Sequence, residues 1–350
     1  MKTIQPLQIS LLTKNYTWQS KNNLAITSLL GFPLSGGRPL LEADLWTRLG
    51  DALGGNILDM GMPKPNGEVL ALASYYAPEG QAVTAGRATL KCGSVEKELA
   101  VIGNRYWGLM GPTAPEPFKT LALNYEHAFG GAQYDMNTLG KGMEDVDVLG
   151  EQRVPLPNIE YPDKLITSAG ARPEPAGFAP LDIMWKQRLE RAGTYDQKWV
   201  EQYAPHYPLD IDWNYFNSAP QDQWIKGFWR GDEHYSLHHM HPDKPIIQGE
   251  LPNFRARSFI APKGEGTQLK EVEQRLDTVY FFPEQELGVL LWRGAIEVEQ
   301  DDLSDLHALL SVFEHADAAP RSLEHYQKAF DHRQDPKLEL KYLHNTVDLI

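Results

Sequence analysis

The sequence predicts an α+β fold that is mostly β, in which antiparallel sheets and hairpins carry several helices in the middle and at the C-terminus. Alternating apolar runs joined by turn residues predict hairpins at 83–103 and 276–299. Apolar residues at helical spacing occur between and after these runs, near 180–192 and beyond residue 302. Strands and long helices do not alternate, so we expect no doubly wound parallel sheet.

The N-terminal third begins with a strand-like run over 4–12, and Pro6 makes it an edge strand because proline cannot donate to a ladder. Apolar residues at helical spacing predict a helix over 42–54. Turn sequence then precedes a strand-like run over 68–76, and Gly93-Ser94 supplies the turn of the first hairpin.

The middle of the chain is expected to change from loops to helices. Residues 111–175 are rich in Gly and Pro and have few periodic runs, which is typical of loops. A helix is predicted over 180–192, and Thr194 is placed to cap a second short helix that ends near Tyr203. Strand-like sequence returns over 246–262.

The C-terminal part is predicted to be one hairpin followed by helices. The hairpin at 276–299 turns at Pro283-Glu284. Asp302 is the candidate N-cap of a helix, and Pro320 opens a last one. The first of these helices has an apolar stripe formed by Leu303, Leu306, Leu310 and Phe313.

Length allows one large unit or two, and no composition break is sharp enough to mark a linker. A subdivision is expected near 141–175, between a β-rich N-terminal part and an α+β C-terminal part. The net charge of −14 argues against binding to nucleic acid or to anionic lipid. A single cysteine excludes an intramolecular disulfide and a thiolate-rich zinc site.

The beginning of the sequence has no apolar run of the secretory type, and stretches such as 289–292 are too short to span a bilayer. We therefore expect a soluble, cytoplasmic protein without membrane insertion. Phosphate-binding loops and the common hydrolase and metalloprotease motifs are missing from the sequence. We expect no cofactor, no resident metal and no catalytic residue.

A histidine-rich segment supports an alternative, a metal-dependent hydrolase. The four imidazoles and two carboxylates of this segment belong to Asp232, Glu233, His234, His238, His239 and His241. In a helix His234 and His238 share a face, and in a strand His239 and His241 share one. Either pair has the spacing of metal ligands. Pro242 follows directly, and histidine-rich loops without metal are the more common case.

Two smaller features each allow a structural and a chemical interpretation. Asp210 and Asp212 share a face in an extended chain, as an acid/base pair would, but such residues more often cap turns. Cys92 ends a strand-like run, where a lone cysteine is usually a small core residue and less often a nucleophile.

Aromatic side chains are dense between residues 203 and 235. Trp and Tyr are frequent in the energetic centres of protein interfaces, but they serve equally well in cores. The candidate partner-binding residues in this region are Tyr207, Trp213, Tyr215, Phe216, Trp224 and Trp229. A second candidate patch consists of Tyr125, Glu126 and Phe129, where the adjacent glycines favour a structural turn.

Several phrases in a fixed order resemble one bacterial family, long catalogued as a domain of unknown function and found with type VI secretion clusters. They lie at 124–131, 156–160, 175–180, 193–196, 208–212, 217–223, 231–233, 277–279 and 292–294. The resemblance covers roughly residues 20 to 320, which implies that 1–350 form one family domain. Thr138 departs from the pattern, in which a proline is expected after Asn137.

The resemblance implies an adaptor or chaperone that binds a toxic effector and helps to load it onto the secretion spike. Its partners would be a type VI effector, a spike-tip protein of the PAAR or VgrG type, or both. It implies no catalytic residues. We expect region 203–235 to bind an effector segment by strand addition or as a helix in a groove, with release by competition with the spike. A structural part of the secretion apparatus is the remaining alternative.

Overall fold

The computed structural model describes residues 2–4, 10–40, 45–53, 61–108, 110–143, 154–262, 268–298 and 306–331. Most of the regular structure in these residues is β, as predicted. None of the helices in these ranges is long and apolar enough to cross a membrane.

The strands of the first half have 3 to 13 residues before residue 103 and two or three residues after it. They are β1 Lys2–Ile4, β2 Ser10–Trp18, β3 Lys21–Pro33, β4 Gly67–Ala71, β5 Ser74–Tyr76, β6 Ala85–Cys92, β7 Val95–Ile102, β8 Trp107–Gly108, β9 Gly111–Pro112, β10 Thr120–Ala122, β11 Phe129–Gly130, β12 Lys141–Gly142 and β13 Ile159–Glu160. The short strands confirm the loop-rich character predicted for 111–175.

The second half contains β14 Trp224–Ile225, β15 His234–His238, β16 Ile246–Glu250, β17 Phe254–Pro262, β18 Lys270–Val272, β19 Arg275–Phe282, β20 Leu287–Val298 and β21 Leu306–His315. The helices are α1 Leu45–Ala52, α2 Lys186–Leu189, α3 Gln197–Gln202 and α4 Leu323–Asp331. Single 3₁₀ turns include Trp213–Phe216 and Gln221–Gln223.

Three larger sheets organise these strands, and three two-stranded pairs accompany them. The six-stranded sheet has the order β14-β4-β19-β20-β3-β2, the five-stranded sheet β13-β7-β6-β15-β16 and the four-stranded sheet β1-β21-β17-β18. Most neighbours are antiparallel, whereas β4–β19 and β1–β21 are parallel. Strand β4 lies between β14 and β19, inside the sheet, and all five of its residues are buried.

Both predicted hairpins are confirmed. In β6–β7, Cys92 pairs with Val95, and Gly93 takes the positive φ of 52° that the tight turn requires. In β19–β20, Phe282 pairs with Leu287 across a 3₁₀ turn that begins at Pro283. Local turn chemistry and alternation therefore placed both hairpins correctly.

The largest apolar cluster joins the six-stranded and five-stranded sheets. Val69 and Phe281 enter it from the former, and Leu90, Leu99 and Leu237 enter it from the latter. A second cluster covers other residues of the six-stranded sheet and includes the two buried leucines of α1. The six-stranded sheet thus packs against the five-stranded sheet through the first cluster and against helix α1 through the second.

The prediction of a helix after residue 302 is wrong for residues 306–315, which form strand β21. This strand pairs with β17, with Phe313 opposite Ala256 and Leu309 opposite Ile260. Leu310 and Phe313 are spaced for a helix, but pairing with a strand distant in sequence decides the conformation. Asp302 lies outside the described residues, as do Pro6 and Gly54.

The other helices are confirmed with changed bounds. Only Lys186–Leu189 of the predicted 180–192 helix is α-helical. The cap of α3 is Asp196, whose carboxylate accepts the Trp199 N–H at 2.8 Å, and not Thr194. Helix α4 begins after Ser322, whose hydroxyl accepts from the N–H of His325 at 3.2 Å. The proposed subdivision near 141–175 stays a prediction.

Candidate functional site

A buried carboxylate on β4 anchors a loop from the middle of the chain. Glu68 is fully buried and forms an ion pair with Lys64. It also accepts from the Ser218 hydroxyl at 3.0 Å, the Ala219 N–H at 3.0 Å and the Asn217 amide at 3.2 Å. Because a buried charge must be matched by donors, these contacts fix the loop 217–219 to the sheet.

A second anchor holds the far end of the same loop. The amide of Gln223 donates to the carbonyl oxygens of Val69 at 2.7 Å and Phe178 at 3.0 Å. Lys97 donates to Gln223 Oε1 at 2.8 Å and to Asp222 Oδ1 at 2.9 Å. Burial outweighs the attraction of Asp222 and lowers the pKa of Lys97 to about 8. The loop 217–223 is therefore held at both ends.

Helix α2 is fixed next to this loop by a buried arginine. The Nε and Nη2 groups of Arg188 donate to the carbonyl oxygen of Tyr215 at 3.0 and 2.7 Å, and Nη1 donates to Leu181 O at 3.2 Å. Only 2% of the Arg188 surface is exposed. Its bonds to backbone carbonyls link α2 to the 3₁₀ turn that precedes the anchored loop.

A groove of about 580 Å³ lies between α2, the anchored loop and the segment 161–175. Its lining includes Tyr161, Gln187, Glu190, Arg191, Asn217 and Trp224. Several wall residues belong to the phrases that carry the family resemblance, including those of 217–223. We name this cavity the polar groove.

Two side-chain oxygens of the groove residues lack a hydrogen-bond partner among the described residues. They are Asn217 Oδ1 and Gln187 Oε1, and both atoms are buried. The amide orientations are determined by their donors: Asn217 Nδ2 donates to Asn66 O at 2.9 Å, and Gln187 Nε2 donates to Met136 O at 3.0 Å. An unmatched buried acceptor costs about 1–3 kcal/mol of folding free energy.

The aromatic walls of the polar groove are held in place. Trp224 donates its indole N–H to Ala219 O at 2.8 Å, and the Arg191 guanidinium lies 5.4 Å from the indole ring. The Tyr161 hydroxyl donates to Asp222 Oδ2 at 3.1 Å. The groove is therefore preorganised, which lowers the entropy lost when a ligand orders it.

Large apolar side chains are exposed in the chain segment that begins at α2, one wall of the groove. Between residues 184 and 209 they are Met184 (67% exposed), Leu189 (41%), Tyr195 (51%), Val200 (55%) and Leu209 (46%). Helix α3 buries none of its residues. The Thr194 hydroxyl donates to Asp210 at 2.7 Å. The backbone at Tyr195, next to Thr194, therefore lies near the backbone at Leu209, next to Asp210. We name residues 184–209 the exposed apolar segment.

Most of the aromatic residues predicted to bind a partner pack within the chain. Tyr207, Trp213, Tyr215 and Phe216 form one cluster with aromatic side chains of β2, and Trp213 meets Trp18 edge-on at 5.2 Å. In this cluster Phe216 is buried, whereas the other three are half-buried. Of these four residues, Phe216 is therefore a core residue and not a surface contact.

The remaining two aromatic residues of that set differ from one another. Trp229 is 5% exposed and donates its indole N–H to Glu68 O at 3.0 Å, so its contact area is used inside the chain. Trp224 is half-buried and lines the polar groove. Partner binding by the residues that are only half-buried stays a prediction.

The second candidate patch is divided by burial. Tyr125 and Phe129 are buried, and the Tyr125 hydroxyl donates to Ala179 O at 3.0 Å. Glu126 is exposed. The two aromatic residues thus form part of the core, and only the carboxylate lies on the surface.

The histidine-rich segment brings no ligand set together in the part of the chain that the structure describes. His234 and His238 begin and end β15, and His239 and His241 follow it in a turn. His241 is buried and accepts from the backbone N–H groups of Asp243 and Lys244 at 3.1 Å. Groups of three or more His, Cys, Asp or Glu that could hold a metal ion were not found among the described residues.

The remaining candidates have structural roles. Asp210 accepts two hydrogen bonds from Thr194, which lower the pKa of the carboxyl, and Asp212 accepts from the Asn214 N–H at 2.9 Å. Burial raises the pKa of the Cys92 thiol. These contacts confirm turn capping for Asp212 and a core position for Cys92, whereas Asp210 links its segment to Thr194 and caps no local turn through these bonds.

Sequence reasoning missed Glu68, Lys97 and Gln187. A signal existed for Lys97, because alternation places it in phase with the inward-facing Val95 and Leu99 of β7. Glu68 begins a strand-like run that is otherwise apolar. Gln187 gives no local signal, because its position depends on contacts with distant residues.

The described structure is that of a mostly β protein with one preorganised polar groove and no recognised metal cluster within the described ranges. A family model described as "Uncharacterized protein conserved in bacteria (DUF2169)" matches residues 21–293. The chain therefore belongs to this bacterial family, and the matched region includes every wall of the polar groove. No curated protein and no solved structure matches the chain.

Proposed function

We propose that the chain is an adaptor or chaperone of type VI secretion, which binds a toxic effector and helps to load it onto the secretion spike. Binding is non-covalent and the chain acts in the bacterial cytoplasm. The partner is an effector, a spike-tip protein of the PAAR or VgrG type, or both. The exposed apolar segment beside the polar groove is the observation that carries this proposal.

The exposed apolar segment supports binding to another polypeptide. Tyr195, Val200 and Leu209 each expose about half of their surface or more within one short stretch. Exposed apolar side chains grouped in this way are typical of protein interaction sites. A chaperone uses such a surface to cover apolar parts of its client until the client is delivered.

The polar groove supplies the selectivity that an apolar surface lacks. Its walls carry charged side chains, among them those of Glu190 and Arg191, and the half-buried indole of Trp224. A protein interface commonly has an apolar centre beside polar contacts. The site therefore combines an apolar surface for affinity with a groove for recognition.

The site that we propose differs from the one expected from the sequence. Aromatic density indicated region 203–235, but Phe216 and Trp229 in that region are buried. Five large apolar side chains that reach solvent lie in 184–209, which precedes most of that region. Trp224 remains part of the site because it lines the groove next to α2.

Affinity capture from the bacterium that encodes the chain, followed by mass spectrometry, tests this function. We expect a type VI effector or a spike-tip protein at close to one copy per chain. A fixed assembly with many baseplate components would instead indicate a structural part of the apparatus. Capture of the chain alone, from cells that assemble the secretion system, would contradict the proposal.

A further inference from the structure

We propose that strand β16 pairs edge to edge with β16 of a second copy of the chain and forms a two-fold symmetric dimer. The dimer joins two five-stranded sheets into one continuous antiparallel sheet. The pairing needs neither the polar groove nor the exposed apolar segment, so it is independent of the adaptor function.

One side of β16 has backbone groups that pair with nothing in the part of the chain that the structure describes. The strand is last in the order of the five-stranded sheet, where β15 is its neighbour. At the end of this pairing, the N–H of Leu251 donates to Glu233 O at 2.9 Å. Successive backbone groups of an antiparallel strand point in alternate directions. The N–H and C=O groups that point away from β15 are therefore those of Ile246, Gln248 and Glu250.

Strand β16 lacks the features that usually prevent pairing at a sheet edge. Such edges are protected by lysine, by proline, by a bulge or by a covering segment. Over its five residues β16 has neither lysine nor proline, and its register with β15 is continuous. The strands β1, β13, β14 and β18 at other sheet ends have only two or three residues, and β2 faces residues 205–207 across a cavity. Among the described edges, β16 is therefore the one best suited to accept another strand.

The side chains of β16 favour a second copy in the antiparallel orientation. A two-fold axis at Gln248 places Ile246 of each copy opposite Glu250 of the other, and all outward backbone groups of both strands then have partners. The two Gln248 amides, which lie opposite each other, can each donate and accept. The Ile246 side chain, 50% exposed in the single chain, becomes partly covered. Parallel pairing in register would instead place the Glu250 carboxylates side by side, and like charges in that position are destabilising.

Sedimentation velocity of the purified whole chain over a range of concentrations tests the pairing. The interface is small and each copy has a net charge of −14, so the dimer is weak. At physiological salt we expect half of the chains to be dimeric at a concentration below about 1 mM. A chain that is monomeric at every concentration up to this value would overturn the proposal.

Amide hydrogen exchange places the contact on the strand. Pairing covers the outward N–H groups, so exchange at Ile246, Gln248 and Glu250 is expected to slow as the concentration rises. A dimer in which exchange at these amides does not slow would overturn the assignment to β16.

A matched pair of variants tests the axis. Gln248 is exposed, and Gln248→Glu keeps the shape of the side chain but places two carboxylates opposite each other in the dimer. Gln19→Glu makes the same change in the exposed turn between β2 and β3, in another sheet. We expect dimerisation at least roughly tenfold weaker for the first variant and unchanged for the second, because like charges that meet at an interface oppose association. Equal dimerisation of the two variants would overturn the proposed register.

An extended segment of another protein is the competing occupant of this edge. Gln248→Pro removes the central outward N–H, and proline is tolerated where the N–H of an edge strand faces solvent. A monomeric wild type whose captured type VI partner is lost in Gln248→Pro would overturn the dimer and assign the edge to that partner. A dimer that forms as expected, in a chain that captures no partner, would support the edge pairing and remove only the adaptor function.

Discussion

The Lys97 ammonium donates a hydrogen bond of 2.8 Å to the side-chain oxygen of Gln223. Gln223 in turn donates to the backbone of β4 and of residue 178, so one buried lysine of β7 helps to fix a loop to two other parts of the chain. Contacts of this kind explain how a chain with so many loops holds a preorganised groove. Buried polar side chains, and not long helices, position its walls.

Glu68→Gln tests the larger anchor. The substitution keeps the shape of the side chain but leaves Lys64 buried without its carboxylate. We expect the free energy of unfolding to fall by about 3–5 kcal/mol in a denaturant titration. Glu98→Gln is the control, because Glu98 pairs with Arg87 on the surface and its loss costs less than about 1 kcal/mol. Equal losses in the two variants would contradict the role of Glu68.

Lys97→Met tests the pH dependence of the second anchor. Burial lowers the Lys97 pKa from 10.5 in the unfolded chain to about 8 in the folded one, so the unfolded chain binds more protons between these values. The contribution of Lys97 to stability is then complete above about pH 10.5 and is lost as the pH falls through about 8.

The measurement is the difference in the free energy of unfolding between wild type and Lys97→Met, determined by urea titration at several pH values. We expect this difference to move in favour of the wild type from pH 7 to pH 10. Groups that titrate equally in both proteins cancel. A difference that is constant, or that moves in favour of the variant, would show that Lys97 does not have the lowered pKa.

Trp229→Ala separates packing from partner binding. Trp229 is 5% exposed and bonded to the backbone of Glu68, so its truncation is expected to cost about 3–5 kcal/mol of folding free energy. Tyr195→Ala, at a side chain that is 51% exposed, is expected to change stability by less than about 0.5 kcal/mol. Thermal unfolding measures the stability of both variants. If Trp229→Ala is as stable as the wild type, Trp229 is again a candidate for contact with a partner.

Sequence reasoning succeeded where the structure is local. The β6–β7 hairpin depends on Gly93 and on alternation within adjacent residues, and both are visible in the sequence. It failed for β21, because Phe313 and Leu309 become strand residues only by pairing with β17, far away in the sequence. The spacing of their side chains fits a helix equally well.

The site was predicted only in part for a similar reason. The sequence located Trp224 and the phrase at 217–223, which line or border the groove. It also selected Trp229 and Phe216, which are buried. Aromatic residues are frequent both in cores and in interfaces, so their density alone does not distinguish the two. The exposure of Val200 and Leu209 depends on which distant residues pack on this part of the chain, and this cannot be seen in a local pattern.

Partner capture with a surface variant tests the central claim most directly. Val200→Ser combined with Leu209→Ser removes two exposed apolar side chains of the segment, and Ile246→Ser combined with Leu323→Ser makes the same change at similarly exposed sites elsewhere. We expect both proteins to fold with wild-type stability, the first to lose the captured type VI partner and the second to retain it. Retention of the partner at wild-type yield by the first variant would contradict the proposal that this segment is the binding surface.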